Sequence, residues 1–73
     1  MEKEVNEFVI FCIEEYKEAH KITGEEAYDI FEKYQIFDYL EDVYDGLHTQ
    51  GGPYILNEIE EAIKARESAQ IKK

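Results

Sequence analysis

The sequence predicts an all-α fold, a small bundle of four helices with antiparallel or orthogonal packing. Apolar residues recur at spacings of three and four along four separate stretches, which is the period of a helix with one buried face. No stretch alternates apolar and polar residues as a half-buried strand does. The connections are short, so consecutive helices must pack together. We expect residues 1–73 to form a single domain.

The first predicted helix covers about residues 2–20. Acidic residues in its first turn and basic residues near its end suit the helix dipole. Ile10, Phe11 and Ile13 lie outside the main apolar stripe, so the helix is apolar over much of its circumference. We expect it to be central in the bundle or to leave one face for another chain. The main stripe consists of Val5, Phe8, Val9, Cys12, Tyr16 and Ala19.

The second and third predicted helices cover residues 23–34 and 36–47. The second begins with a capping box, in which the Thr23 hydroxyl and the Glu26 carboxylate each accept a backbone N–H. The third carries acidic residues opposite its apolar stripe. Gly46 lowers its helix propensity, so we expect the helix to fray or tighten there.

Residues 44–53, the central turn, hold the densest run of chain breakers and polar side chains in the sequence. They connect the third predicted helix to the fourth, which covers about residues 53–67. Pro53 suits the first helical position, because its missing N–H would have had no partner there. The tail, residues 68–73, has one apolar residue, and we expect it to fray.

The chain is short for a stable domain, since a domain of this size buries only about 60% of its unfolded surface. Its single cysteine, Cys12, excludes an internal disulfide, and two histidines are too few for a structural zinc site. Stability must then come from well-packed helices, a second subunit or both. Cys12 lies in an apolar stripe, so we interpret it as a core residue and not as a nucleophile.

The net charge of −10 indicates which classes of partner the protein can bind. Nucleic-acid backbones bind basic surfaces, so we expect no DNA or RNA binding, including binding through the second and third helices as a helix-turn-helix. No apolar run approaches the length of a membrane span, so we expect no membrane contact. The acidic N-terminus is unlike a signal peptide, and a lone thiol is typical of a reducing compartment. We therefore expect a cytoplasmic protein.

Residues 34–63 contain seven acidic residues and no lysine or arginine. Because the third and fourth predicted helices flank the central turn, we expect these acids to share one negative surface. Such a surface would steer a basic protein toward it, although a merely solvated face has the same composition. The spacing does not match a calcium-binding EF-hand loop. The acids are Asp38, Glu41, Asp42, Asp45, Glu58, Glu60 and Glu61.

Asp45 and His48 lie three residues apart, on one face if the helix continues that far. A carboxylate beside a histidine is used in general-base catalysis, and Tyr44 would complete a small enzyme or ligand site. The plainer interpretation is that His48 bonds free carbonyls at the end of the third helix. Thr49 and Gln50 would then satisfy backbone groups in the turn. We prefer this interpretation and predict no catalytic residue, metal or cofactor.

Residues 7–14, 24–28, 39–40 and 44–51 resemble a family of short bacterial proteins of unknown function. The resemblance covers about residues 5–65, and its most specific part is the motif Tyr-Asp-x-Leu-His-Thr-Gln-Gly. Members often neighbour genes for ADP-ribosyltransferase-like proteins. The resemblance therefore implies a partner or antidote role in a toxin–antitoxin-like pair, and it supplies no catalytic residues.

These observations predict a non-enzymatic protein–protein interaction module, whose acidic face and central turn bind a more basic partner. Association into a homodimer is a second expectation. An enzyme or ligand-binding protein using Tyr44, Asp45 and His48 is the alternative. An open cleft in which His48 and Asp45 converge would favour that alternative, and a buried His48 bonded to carbonyls would remove it. The predicted binding residues are Tyr44, Asp45, His48, Thr49, Gln50, Asp38, Glu41 and Asp42.

Overall fold

Four helices make up the computed structural model, which confirms the all-α bundle that the apolar periodicity predicts. The structure describes residues 3–71, and for residues 70 and 71 it describes the backbone alone. Residues 3–71 contain no β-strand, and none of the helices among them is long and apolar enough to cross a bilayer. The helices are α1 (Lys3–His20), α2 (Gly24–Lys33), α3 (Ile36–Leu47) and α4 (Gly52–Ile71).

The last helix is longer than the sequence pattern indicates. α4 continues to Ile71, beyond the predicted end at residue 67, so residues 68–71 belong to the helix and not to a frayed tail. No glycine or proline occurs after residue 67 to end the helix. The remaining tail residues, 72–73, and the predicted first helical residue, Glu2, lie outside the described part of the chain.

The capping box at the start of α2 is present as predicted. The Glu26 N–H donates to the Thr23 hydroxyl at 3.1 Å, and the Thr23 N–H donates to the Glu26 carboxylate at 3.0 Å. α2 ends where Gln35 adopts a left-handed conformation with φ of 56°. A left-handed residue cannot continue a right-handed helix, so it separates α2 from α3 without a glycine. Lys21, with φ of 54°, follows the end of α1 in the same conformation.

α1 is the central helix of the bundle, because it packs against each of the other three helices. α3 also contacts the other three, whereas the backbones of α2 and α4 do not approach each other. The facing sides of the helices form one apolar core, and residues 3–69 contain no buried polar or charged side chain. The most deeply buried large side chains are Phe31, Ile36, Leu40, Ile55, Ile59 and Cys12.

α3 remains helical through Gly46, so the expectation that it frays or tightens there is wrong. The backbone N–H of His48 donates to the Tyr44 carbonyl at 2.9 Å, which is the four-residue hydrogen bond of an α-helix. Leu47 is buried in the core and holds the last turn against the bundle. Burial of this side chain outweighs the low propensity of the neighbouring glycine.

Candidate functional site

The predicted site residues at the end of α3 form a stack and not a cleft. The His48 ring lies parallel to the Tyr44 ring, with 4.1 Å between ring centroids and 10° between planes. His48 Nδ1 donates to the Tyr44 backbone carbonyl at 2.7 Å. Because a carbonyl oxygen can only accept, Nδ1 carries the proton. Phe8 of α1 meets the Tyr44 ring edge-on at 5.4 Å, so the stack is attached to the bundle.

The bond of His48 follows the plainer interpretation, but the predicted roles of Thr49 and Gln50 in the turn are wrong. His48 bonds a backbone carbonyl at the helix end, but its side chain is exposed and not buried. Among the described residues no hydrogen bond joins it to Asp45, and neither residue lines the groove between α1 and α4 or the groove between α1, α2 and α3. The side chains of Thr49 and Gln50 are exposed, and the hydrogen bonds of residues 3–69 include none from either side chain to the backbone. The turn is closed instead by the Gln50 N–H, which donates to the Leu47 carbonyl at 2.9 Å.

The expectation that seven acids share one surface is wrong. Glu58 and Glu60 are two residues apart on α4, so they point about 200° apart around the helix. Glu58 lies near Tyr39 of α3, where burial raises the pKa of the Tyr39 phenol and the Glu58 carboxylate raises it further. Glu60 instead accepts a hydrogen bond of 2.9 Å from His20 Nε2 at the end of α1.

Four of the predicted acids nevertheless lie together on α3. Their spacing of three, four and seven residues places them on one helical face, and all four side chains are exposed. We call this set the α3 acidic face. It consists of Asp38, Glu41, Asp42 and Asp45.

A second acidic feature lies between α1 and α4. It is a groove of about 350 Å³ in which the His20 ring stacks on Tyr16 at 4.2 Å and 26°. Burial raises the pKa of the Tyr16 phenol, and the nearby carboxylates of Glu60 and Glu67 add to the rise. Residues 3–69 contain no group of three histidine, cysteine or acidic side chains that could hold a metal ion. The groove therefore offers negative charge but no coordination site.

An apolar groove lies at the junction of α1, α2 and α3, with a volume of about 420 Å³. Ile10 is 52% exposed and Tyr28 is 49% exposed, although both are large apolar side chains. Phe11, the next residue on α1, is 41% exposed. We call this concavity the apolar groove. It is lined by Asn6, Val9, Ile10, Ile13, Tyr28 and Phe37.

The aromatic wall of the apolar groove is connected to the core. The Tyr28 and Phe37 rings are 5.0 Å apart and tilted by 50°. Phe37 in turn meets Phe31, which is fully buried, at 5.7 Å in an edge-on arrangement. Phe37 is thus attached to the core, and Tyr28 packs on it from the solvent side.

In a comparison with protein families, the sequence model of the family described as "Protein of unknown function (DUF3791)" matches residues 7–66. The chain belongs to this family. The matched region includes the central turn and all of the apolar groove except Asn6. The match confirms the resemblance to a family of unknown function. Neither the comparison with curated proteins nor that with solved structures finds a match.

In this DUF3791 domain the sequence pattern indicated only part of the apolar groove. The extra apolar residues Ile10, Phe11 and Ile13 on the first helix predicted either a central helix or a face left for another chain. The structure makes α1 central and places Ile10 and Ile13, but not Phe11, in the groove. Tyr28 and Phe37 were missed, because they come from two other helices and each looks like an ordinary edge residue of its own helix. The signal that was available is that the second and third helices each carry an aromatic residue beside their main stripe.

Proposed function

We propose that this DUF3791 protein is a non-enzymatic interaction module that binds a protein more basic than itself. The observation that carries the proposal is the apolar groove, with Ile10 and Tyr28 about half exposed at its surface. Leaving such side chains in water forgoes the free energy of burying them. Contiguous apolar patches on a protein surface mark binding sites far more often than isolated apolar residues do.

The charge of the molecule supports a basic partner. The net charge is −10, so an acidic protein would be repelled as it approached. The α3 acidic face adjoins the apolar groove, because Asp38 directly follows Phe37 and Glu41 lies one turn beyond it. Apolar contact and negative charge are therefore available to the same partner.

The family resemblance extends the proposal to a class of partner. It supports an ADP-ribosyltransferase-like protein, to which this chain would bind as the antitoxin-like member of a pair. This finer proposal rests on the resemblance, whereas the interaction module itself rests on the apolar groove.

Affinity capture from the source cell tests the interaction module. The bait is the native chain, compared with two variants that each replace one half-exposed apolar residue by glutamate. Ile10→Glu places the charge in the apolar groove, and Tyr54→Glu places it on α4, where Tyr54 is 52% exposed and outside the groove. We expect a basic protein to be retained by the native chain and by Tyr54→Glu and lost by Ile10→Glu. Capture that is equal for all three baits, or absent with the native chain, would refute the proposal.

A further inference from the structure

We infer that the apolar groove receives an amphipathic helix of the partner, with about two turns of apolar side chains in the groove and lysine or arginine residues along its edges. The inference rests on the proposed function, because it names what the interaction module binds. Three features of the groove support it: its length, its walls and the charges around it.

The length of the groove matches two turns of helix. On α1 the lining extends from Asn6 to Ile13, which is about 10 Å at the rise of 1.5 Å per residue. An apolar cavity of about 150 Å³ accommodates one benzene-sized group. The groove, with a volume of about 420 Å³, therefore accommodates two or three apolar side chains. A helix presents that number on one face over two turns.

The walls of the groove favour a helix over an extended segment. An extended peptide gains affinity by pairing with a free strand edge, and residues 3–71 contain no strand. All lining residues belong to α1, α2 or α3, so no extended backbone lines the groove. The groove can therefore contact a ligand through side chains, but it cannot form a ladder of backbone hydrogen bonds with an extended peptide. An amphipathic helix, which satisfies its own backbone, is the ligand that such a surface binds best.

Exposed acidic residues lie beside the apolar groove and outnumber the basic ones there, which are Lys3 and Lys17. The acidic residues occupy positions three or four residues from Ile10, Tyr28 and Phe37, which places each about one helical turn from a lining residue. Glu14 forms an ion pair of 3.0 Å with Lys17. We call these residues the rim acids. They are Glu14, Glu25, Glu32 and Glu41.

The rim acids also argue against a second copy of this chain as the occupant. In a two-fold dimer the same patch meets itself, so each groove would bring its own rim acids against those of the other. Each chain carries a net charge of −10, and like charges facing each other oppose association. A helix with basic flanks meets the opposite sign. Charge complementarity therefore selects a basic helix from another protein.

The first test uses a peptide of about 14 residues made of leucine and lysine, with the leucines on one helical face. Its binding is measured by calorimetry near physiological salt. We expect the native chain and Tyr54→Glu to bind equally, and Ile10→Glu to bind about tenfold more weakly or less. The two variants add the same charge, so attraction by net charge alone predicts no difference between them. A scrambled peptide of the same composition, with leucines all around the helix, should also lose about tenfold.

The rim acids are tested separately. Replacing Glu25 and Glu32 by glutamine should weaken binding of the lysine–leucine peptide several-fold and reduce its dependence on salt. Circular dichroism and thermal unfolding establish that each variant is folded, and all of the substituted positions are exposed. Equal binding to Ile10→Glu and Tyr54→Glu, or equal binding of the scrambled peptide, would overturn the inference.

Two further outcomes separate this inference from the proposed function. Capture of a basic protein that depends on Ile10, without tighter binding of the helical peptide than of the scrambled one, would refute the helix and leave the interaction module in place. A solution mass of two chains, reduced to one by Ile10→Glu but not by Tyr54→Glu, would show that a second copy occupies the groove. That result would overturn the inference of a basic partner helix.

Discussion

The carboxylate of Glu15 lies against Gly52, so close that a Cβ atom on residue 52 would be 2.9 Å from Glu15 Oε1. Gly52 is the first residue of α4, where unpaired N–H groups and the helix dipole produce a positive partial charge. α4 has no acidic residue of its own in its first turn. α1 thus supplies the negative charge that the start of α4 lacks, and this contact helps to hold the two helices together.

Replacing Gly52 by alanine should change the free energy of unfolding little. Alanine is favoured over glycine by about 0.5–1 kcal/mol in the middle of a helix, and by less at a first helical position such as residue 52. The new methyl group would displace the flexible end of Glu15, which forfeits a dipole interaction of about 0.3–1 kcal/mol. Urea unfolding of Gly52→Ala, Glu15→Gln and the double variant measures the two effects. With Glu15→Gln already present, the dipole interaction is absent, so Gly52→Ala should cost less stability than it does in the native background. An equal effect in both backgrounds would contradict the charge explanation.

Replacing Gly46 by alanine should stabilise the protein. Gly46 lies within α3, its φ is not positive, and no heavy atom would come within 4 Å of an added Cβ. We expect a gain of about 0.5–1 kcal/mol in the free energy of unfolding, because alanine loses less conformational freedom than glycine. Gly24→Ala, at the first position of α2, is the control and should gain less. Destabilisation by Gly46→Ala would show that α3 departs from a regular helix there.

The thiol of Cys12 should be unreactive in the folded protein. Burial, with a smaller contribution from the Glu15 carboxylate, raises the pKa of Cys12 from 9.0 to about 12. The reactive thiolate is then nearly absent at pH 8. Labelling with a chromogenic disulfide reagent should be slow in buffer and fast in denaturant. Rapid labelling of the native protein would contradict the burial of this side chain.

The same pKa shift makes the fold sensitive to alkali. Because the folded-state pKa of Cys12 is higher than the unfolded-state value of 9.0, its contribution to stability is complete below about pH 9 and is lost as the pH rises toward 12. The pKa values of Tyr16 and Tyr39 are also raised from 10.0, so they add to the loss at higher pH. Urea midpoints measured from pH 7 to 11 should fall above pH 9. Cys12→Ala should show a smaller fall.

Removing the His48 side chain should cost stability but leave the apolar groove intact. His48→Ala loses the stack on Tyr44 and the bond to its carbonyl, and we expect a loss of about 0.5–1.5 kcal/mol. Asp45→Asn, which alters an exposed carboxylate with no bond to His48, should stay within about 0.5 kcal/mol of the native chain. His48→Ala should bind the lysine–leucine peptide normally. Unchanged stability of His48→Ala together with loss of the captured partner would instead make His48 a binding residue.

Local chemistry was sufficient to predict the helices and most of the core. Thr23 and Glu26 predicted the start of α2, because a capping box is formed by residues that are close in the sequence. The break between α2 and α3 was predicted at residue 35, but the left-handed conformation of Gln35 was not, since it is uncommon at a non-glycine residue. The length of α4 was underestimated, because residues 68–71 have neither a stop signal nor a clear apolar pattern.

The candidate site was harder to predict, because its parts come from different helices. Ile10 was an identifiable excess of apolar surface within one helix, whereas Tyr28 and Phe37 meet only after the chain has folded. The single acidic surface failed for a related reason. Glu60 meets His20 because of the rotation of α4 about its own axis relative to α1. The spacing of residues in the sequence does not specify that rotation.

α1 is both the centre of the core and one wall of the apolar groove, and Val9 belongs to both. A ligand in the groove would therefore brace the same helix that holds the other three in place. Binding to the native state at a hundred times the dissociation constant adds about 2.7 kcal/mol, a large increment for so short a chain. Cellular proteases degrade unfolded chains, so the lifetime of this protein should lengthen when its partner is abundant and shorten when the partner is scarce.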